Sequence, residues 1–202
     1  HERGPIRLCA GPGSGKTAVL VARVKQLIES GVPPKRILAI TFTKKAAQEM
    51  AERIGMSDGP VVSTLHAQAF GILTEHEGLI GTVRLAGKVD CKNLLMRILE
   101  HAPIISGVSY DGITMRYGLI TMLFKDFDFI ERNGEETYRK ANPKKDVDGI
   151  LRVKQMYDEA FREHGFITYD DQITMAVDLL KKYEGVLDAV RDAFDYVMVD
   201  EV

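Results

Sequence analysis

The chain has 202 residues, of which 45% are hydrophobic and 28% are charged, and its formal net charge at pH 7 is −2. This length suffices for one large domain or two small ones, and the charge excludes a protein that binds nucleic acid through a globally basic surface. Any nucleic-acid site must therefore be a local patch, and no run of about 18 apolar residues is present to span a membrane.

The cysteine pattern argues against a disulfide framework and against a zinc site. Cys9 and Cys91 lie far apart in the sequence, without CxxC spacing and without a histidine cluster beside them. A reducing intracellular compartment fits this usage best, so we expect a cytoplasmic protein.

Residues 6–64 alternate between short apolar runs and segments with helical periodicity. Strands are predicted at Ile6–Cys9, 37–41 and 60–64, and helices at 16–30, at 44–54 and from His66 onward. Regular alternation of strand and helix is typical of a parallel sheet with helical crossovers.

From about residue 80 the pattern changes to helical periodicity without strand-like alternation. Helices are predicted at 91–101, 117–130, 146–164 and 168–183, and the apolar run Tyr196–Val199 restores a strand. We therefore predict an α/β domain formed by residues 1–80 and 166–202, interrupted by an all-helical insertion subdomain at residues 81–165.

The segment AGPGSGKT follows a predicted strand and opens a predicted helix, which is the context that a phosphate-binding loop requires. Its glycines let backbone N–H groups turn toward a phosphate at the positive end of the helix dipole. Lys16 is placed to reach the β- and γ-phosphates, and the Thr17 hydroxyl to ligate Mg²⁺. The predicted nucleotide-binding residues are Ala10, Gly11, Pro12, Gly13, Ser14, Gly15, Lys16 and Thr17, with Ala10 standing where the strict motif has glycine.

Two carboxylates, Asp200 and Glu201, follow the apolar run at 196–199. The first polar residue of a strand buried on both faces emerges at the carboxyl edge of the sheet, where α/β folds bind ligands. We predict that Asp200 helps to hold the metal and that Glu201 orients and deprotonates the attacking water. Together with Lys16 they would hydrolyse a nucleoside triphosphate, although two acids alone also occur at solvated strand ends.

Other phosphate-loop classes remain open at this point. A nucleotide kinase, a GTPase and a non-catalytic module with a vestigial nucleotide site all contain such a loop. A GTPase needs an Asn-Lys-x-Asp element, which this sequence lacks, and the intact Lys16, Thr17, Asp200 and Glu201 argue against a vestigial site.

Five segments, taken in order, resemble the superfamily 1 DNA helicases of the UvrD, Rep and PcrA group. They are AGPGSGKT, ILAITFTKKAAQEMAERI, VVSTLHAQAFGIL, GFITYDDQITMAVDLL and YVMVDE. The resemblance implies a RecA-like ATP-binding motor domain, called 1A, with helices on both faces of a parallel sheet, interrupted by a helical subdomain called 1B. It also implies ATP with Mg²⁺ as cofactors, and a nucleoid-associated protein acting in DNA repair, replication or recombination.

The resemblance further implies where DNA binds. Single-stranded DNA would contact Thr41, Phe42, Thr43 and Lys44, with Phe42 close to a base, and would pass Thr64 and His66. Stacking on an aromatic face suits any base, although Phe42 could equally be a core residue at a strand end. Duplex DNA at a junction would lie against the helical insertion, whose segment Arg139–Lys154 carries six basic and two acidic residues.

Within this resemblance the chain is expected to be a fragment. In the family the strand that ends in Asp-Glu continues into a Gln-Asp pair and a second RecA-like domain, and an upstream glutamine that reads adenine precedes the phosphate loop. We therefore expect little ATP turnover from this chain alone. Ala18 replaces a usual arginine, which leaves adenine selectivity open. The motor part of an AddA-type recombination helicase-nuclease is the alternative within the family.

Overall fold

The computed structural model describes residues 4–9, 11, 13–101 and 113–200. Contacts divide the chain into two compact units, which we call the sheet unit (His1–Ile80 with Tyr169–Val202) and the helical unit (Gly81–Thr168). None of the helices within the described ranges is long and apolar enough to cross a membrane.

The elements follow one another in this order. Up to residue 80 they are α1 (Lys16–Glu29), β1 (Ile37–Thr41), α2 (Lys44–Ile54), β2 (Val61–Thr64), α3 (Leu65–Glu75) and α4 (Glu77–Ile80). The helical unit contains β3 (Arg84–Leu85), α5 (Lys88–His101), α6 (Ile113–Asn133), α7 (Glu135–Ala141), α8 (Val147–Glu163) and β4 (Phe166–Ile167). The chain ends with α9 (Tyr169–Lys182), α10 (Glu184–Ala193) and β5 (Tyr196–Asp200).

The sheet unit is built on a parallel sheet in the order β2-β1-β5. All five residues of β1 are buried, as the central strand of a parallel sheet requires. One face of the sheet packs against α1 and α2, which contribute buried residues at helical spacing: Val21, Val24, Leu27, Met50 and Ile54.

Hydrogen bonds join the two residues that directly precede β1 and β5, Arg36 and Asp195, at the amino end of the sheet. The Arg36 guanidinium donates to both carboxylate oxygens of Asp195 at 2.6 Å, and the Asp195 N–H donates to the Arg36 carbonyl. Hydrogen bonding to the Arg36 guanidinium holds the pKa of the Asp195 carboxyl below its usual value. These bonds set the register in which β5 runs beside β1.

The helical unit has its own core, formed where α5, α6, α7 and α8 meet. A polar cluster lies within it: Lys145 Nζ donates to Asp126 Oδ1 at 2.7 Å and lies 3.4 Å from the Tyr138 hydroxyl. Tyr138 is only 1% exposed. Burial and the neighbouring Asp126 carboxylate raise the pKa of the Tyr138 phenol.

The first and last segments of the helical unit pair as parallel strands. Arg84 lies opposite Phe166 in the β3–β4 ladder, and the Arg84 N–H donates to the Gly165 carbonyl at 2.7 Å. Gly165 has φ +65°, and a Cβ atom there would overlap the carbonyl oxygen of Thr82. The close approach of the two segments therefore requires glycine at this position.

The bounds of the parallel strands and of the long helices agree with the sequence predictions to within a few residues. Strand β5, however, is not buried on both faces as predicted, since Val197 and Val199 are 57% and 49% exposed. The predicted buried strand at Ile6–Cys9 is wrong. This segment is irregular, with Ile6 64% and Leu8 51% exposed. A strand needs hydrogen bonds from a neighbour, and no described strand pairs with this segment.

Several short elements were not predicted. Strand β4 is one of them. It pairs with β3 inside the helical unit, so this unit is not all-helical as predicted. Helix α10 was also missed. It is a helix of 10 residues with one buried side chain, Val186.

We expect Gly165→Ala to destabilise the protein more than Gly55→Ala does. Gly165 has φ +65° and Gly55 has φ +72°, so alanine at either position adds backbone strain of about 1–2 kcal/mol. At Gly165 the new Cβ must also displace the Thr82 carbonyl, whereas at Gly55 the nearest atom is the Glu52 carbonyl oxygen at 3.7 Å, an ordinary contact. Urea unfolding followed by circular dichroism measures the difference, and equal losses would show that the Thr82 contact imposes no constraint.

Candidate functional site

Polar residues from three strands meet at the carboxyl edge of the sheet. In the ladder Thr41, the last residue of β1, lies opposite Thr64 on one side and opposite Asp200 on the other. Neighbouring strands lie about 4.8 Å apart. Asp200, which was predicted to bind the metal, and Thr41 and Thr64, which were predicted to contact DNA, therefore lie side by side on neighbouring strands.

Two glycines of the predicted phosphate loop have a left-handed backbone conformation. Gly13 has φ +73°, and Gly15, the N-cap of α1, has φ +84° and ψ +21°. Both lie in the left-handed region that favours glycine. The first turn of α1 contains no acidic residue, so its free N–H groups and positive dipole end are not offset by a neighbouring charge on the helix.

Two donors of the loop converge on the carbonyl oxygen of Gly11. The Ser14 hydroxyl donates to it at 2.7 Å and Lys16 Nζ donates to it at 3.0 Å. The Lys16 side chain is thus folded back over the loop, and its ammonium shares one acceptor with the Ser14 hydroxyl.

The Thr17 hydroxyl donates to Asp200 Oδ2 at 2.7 Å, across 183 residues of sequence. Asp200 is 8% exposed. The first turn of α1 and the tip of β5 therefore come into direct contact through the two residues that were assigned to the predicted metal site. Ala10, Pro12 and Glu201, which were also assigned to the site, lie outside the described residues.

Phe42 and Lys44 are exposed beside this edge. Phe42 is 75% exposed, which excludes the alternative that it is a core residue at a strand end. Thr43 caps α2 by accepting a hydrogen bond from the Ala46 N–H at 3.1 Å. The cap fixes the turn that projects Phe42 and begins α2 with Lys44.

Thr41 and Thr64 are buried rather than exposed. Thr41 is 2% exposed and its hydroxyl donates to the Thr43 carbonyl, while Thr64 is 6% exposed and caps α3 by accepting from the Ala67 N–H. Their side chains shape the turns from inside. A direct contact of these two side chains with DNA would require them to be exposed, and they are not.

Sequence reasoning missed Tyr169, the first residue of α9. Its side chain is 55% exposed, and its ring lies 6.0 Å from the His66 ring in an edge-on arrangement. The sequence hint was an aromatic residue directly before two aspartates at a helix start. Only the packing of α9 against α3 shows that Tyr169 and His66 are neighbours.

Half of the basic residues in the segment Arg139–Lys154 form ion pairs within the helical unit. Arg139 bonds to Glu135 and Asp148, Lys145 bonds to Asp126, and Lys154 bonds to Glu131 and Asp158. Lys140, Lys144 and Arg152 are the basic residues of the segment for which the described residues offer no ion pair. The excess of positive charge counted along the sequence therefore overstates the field that this surface presents.

Comparison with known proteins identifies the family. The sequence model described as the UvrD/REP helicase N-terminal domain matches residues 1–202, so the chain belongs to this family. It is 33% identical to the ATP-dependent DNA helicase PcrA of Leuconostoc citreum, and the alignment covers 98% of this chain and 27% of that protein. It is 32% identical to the ATP-dependent DNA helicase UvrD1 of Mycobacterium leprae, covering 100% of this chain and 27% of that protein. The chain thus spans about a quarter of the length of these relatives.

We expect Phe42→Ala to leave the stability of the protein almost unchanged, whereas Ile40→Ala on the same strand end lowers it by about 2–5 kcal/mol. Phe42 is 75% exposed and Ile40 only 8% exposed, so only the second change opens a cavity. Chemical denaturation of both variants measures this. A loss for Phe42→Ala comparable to that for Ile40→Ala would place the phenylalanine in the core.

Proposed function

We propose that this member of the UvrD/REP helicase family is the ATP-binding part of an ATP-dependent DNA helicase that moves along single-stranded DNA and unwinds duplex DNA. The observation that carries the proposal is the contact of Thr17 with Asp200 at 2.7 Å, at the open end of a glycine-containing loop. The names of the relatives, which are ATP-dependent DNA helicases, support the same conclusion.

In this proposal the loop binds the phosphates of ATP. Backbone N–H groups of the loop and of the first turn of α1 point toward the phosphates, and the Lys16 ammonium neutralises their charge. Lys16 Nζ and the Ser14 hydroxyl already donate to a single acceptor, the Gly11 carbonyl oxygen. A phosphate oxygen offers the same kind of acceptor with a full negative charge, which makes such hydrogen bonds stronger.

Thr17 and Asp200 fit a magnesium ion by their chemistry. Mg²⁺ prefers oxygen ligands and is usually held by one or two protein groups together with water and phosphate oxygens. A hydroxyl and a carboxylate in contact at the phosphate end of α1 supply such ligands. No cluster of three or more histidine, cysteine or acidic side chains that would suit another metal occurs in the described part of the chain. The ion, when bound, would neutralise charge on the transferred phosphate.

Glu201 is proposed as the general base that orients and deprotonates the attacking water. Its neighbour Asp200 accepts a hydrogen bond from the Thr17 hydroxyl. This contact supports a division of roles in which Asp200 helps to hold the metal and Glu201 accepts the proton. Loss of a general base typically lowers the rate by about 10²–10⁴-fold.

Single-stranded DNA is proposed to cross the carboxyl edge of the sheet over Phe42, Lys44 and His66. Phe42 offers an exposed face to a base and Lys44 a cation to a phosphate. Thr41, Thr43 and Thr64 would act from beneath by fixing the turns. Tyr169 extends the exposed aromatic surface beside His66. Contact with duplex DNA through the helical unit would depend on Lys140, Lys144 and Arg152.

We propose that the sheet unit is the RecA-like domain 1A, with helices on both faces of its sheet, and that the helical unit is subdomain 1B. Full activity would need a second RecA-like domain, which provides arginines that stabilise the transition state, an effect of about 10³–10⁵ in rate. A cytoplasmic, nucleoid-associated protein acting in DNA repair, replication or recombination follows from this function.

We expect Asp200→Asn to weaken magnesium-dependent nucleotide binding, because it removes the carboxylate charge beside Thr17. Binding of a fluorescent ATP analogue, titrated with and without magnesium, measures this, with Asp188→Asn on the exposed surface of α10 as the matched control. If Asp200→Asn keeps the magnesium-dependent affinity of the unaltered chain, as Asp188→Asn should, Asp200 does not belong to the metal site.

We expect Glu201→Gln to retain nucleotide binding. Phosphate release by the unaltered chain should stay near background with and without single-stranded DNA.

We expect Phe42→Ala to weaken binding of single-stranded DNA by about 1–3 kcal/mol for every base composition, because stacking is not base-selective. Lys44→Ala should weaken binding mildly and reduce the dependence on salt by about one phosphate contact. Fluorescence-anisotropy titrations at several salt concentrations measure both effects, with Lys25→Ala on the exposed face of α1 as the control. Unchanged affinity for Phe42→Ala would contradict the proposed DNA path.

A further inference from the structure

We propose that Ser14 is a positioning residue of the phosphate loop, which orients the Lys16 ammonium by holding the carbonyl group of Gly11. The Ser14 hydroxyl donates to the Gly11 carbonyl oxygen at 2.7 Å, and Lys16 Nζ donates to the same oxygen at 3.0 Å. In this proposal the Ser14 side chain does not touch the nucleotide. The inference rests on the proposed function, since the Lys16 ammonium is the group proposed to neutralise the phosphates of ATP.

The Ser14 hydroxyl closes a turn that contains a flexible residue. The Ser14 N–H donates to the Gly11 carbonyl oxygen at 3.4 Å, so the backbone and the side chain of one residue hold the same acceptor. Gly13, with φ +73°, lies inside this turn. Because glycine loses more conformational freedom on ordering than any other residue, the loop is costly to order. A hydroxyl that bonds to the backbone three residues earlier offsets part of this cost.

The number of protons on each side chain assigns the two residues different tasks. A serine hydroxyl carries one proton, and the Gly11 carbonyl accepts it, so Ser14 has no second proton to donate to a phosphate oxygen. An ammonium carries three protons, so the bond to Gly11 does not prevent Lys16 from donating to a phosphate oxygen as well. The Gly11 carbonyl is thus a neutral support for the ammonium, and Ser14 fixes the direction of that support.

This contact is separate from the residues proposed to hold magnesium. The Thr17 hydroxyl donates to Asp200 Oδ2, whereas the Ser14 hydroxyl bonds within the loop. Removing the Ser14 hydroxyl should therefore weaken the binding of phosphate through Lys16 and leave the effect of magnesium on that binding as it is.

The first test measures the affinity of the unaltered chain, Ser14→Ala and Ser14→Thr for a fluorescent ATP analogue, with and without magnesium. We expect Ser14→Ala to weaken binding by about threefold to tenfold, which corresponds to one net hydrogen bond. Ser14→Thr keeps a hydroxyl at an exposed position and should bind as the unaltered chain does. The factor by which magnesium strengthens binding should be the same in all three proteins.

The matched control is Ser30→Ala at the other end of α1. The Ser30 hydroxyl donates to the Leu27 carbonyl at 2.8 Å, so it makes the same bond to a carbonyl three residues earlier, away from the loop. Ser30→Ala should bind the ATP analogue as the unaltered chain does, and it shows what the loss of such a bond does to α1 alone.

The second test needs no nucleotide and reports on Lys16 directly. Acetylation by a limiting amount of acetic anhydride, quantified by mass spectrometry, compares the reactivity of Lys16 with that of Lys25, an exposed lysine on the same helix. We expect Ser14→Ala to raise the relative rate at Lys16 by about threefold, because the ammonium loses its fixed acceptor. Ser14→Thr and Ser30→Ala should leave this rate unchanged.

Three results would overturn the inference. One is an unchanged acetylation rate at Lys16 in Ser14→Ala, which would mean that Ser14 acts on the phosphate or not at all. The others are unchanged affinity of Ser14→Ala for the ATP analogue and equal losses of affinity in Ser14→Ala and Ser14→Thr. If the unaltered chain does not bind the ATP analogue, the ATP part of the proposed function is wrong, and the acetylation rates still show whether Ser14 positions Lys16.

Discussion

The parallel pairing of β1 with both β2 and β5 is the constraint on which the rest of the site depends. Because Thr41 lies opposite Thr64 and Asp200, each strand ends at the same edge and places a polar residue there. The turns that follow β1 and β2 begin helices whose threonine caps aim their first residues outward. A shift of β5 by one residue would turn the Asp200 side chain to the other face of the sheet, away from Thr17. It would also exchange the buried and the exposed side chains along the shifted strand.

The helical unit is an insertion closed at its base by backbone pairing. Arg84 and Ala86 donate to the carbonyls of Gly165 and Ile167, so the first and last segments of the unit run side by side. A core of its own lies between its helices, and the buried contact of Lys145 with Asp126 anchors the loop that precedes α8. These features let a long insertion interrupt the sheet unit without separating the sequence-distant residues that form the site.

Charge counted along a sequence and charge presented by a surface are different quantities in this protein. Arg139, Lys145 and Lys154 contribute to the basic balance of their segment, yet each contacts a carboxylate, and two of the partners, Asp126 and Glu131, come from α6. Near α2, by contrast, Lys44 is exposed at a helix start next to the equally exposed Phe42. Local structure therefore favours the smaller cluster over the longer run as a surface for a polyanion.

The sequence by itself determined the parallel sheet, the long helices, the glycine-rich loop that leads into a helix at Lys16 and Thr17, and Asp200 at a strand tip, because period, glycine spacing and apolar runs are local signals. Only the tertiary structure decided that Thr17 contacts Asp200, that Phe42 is exposed while Thr41 and Thr64 are buried, and that Tyr169 lies beside His66. It also overturned the strand predicted at Ile6–Cys9. The reason in each case is that burial, strand pairing and ion pairing depend on residues far away in the sequence, which no local pattern can report.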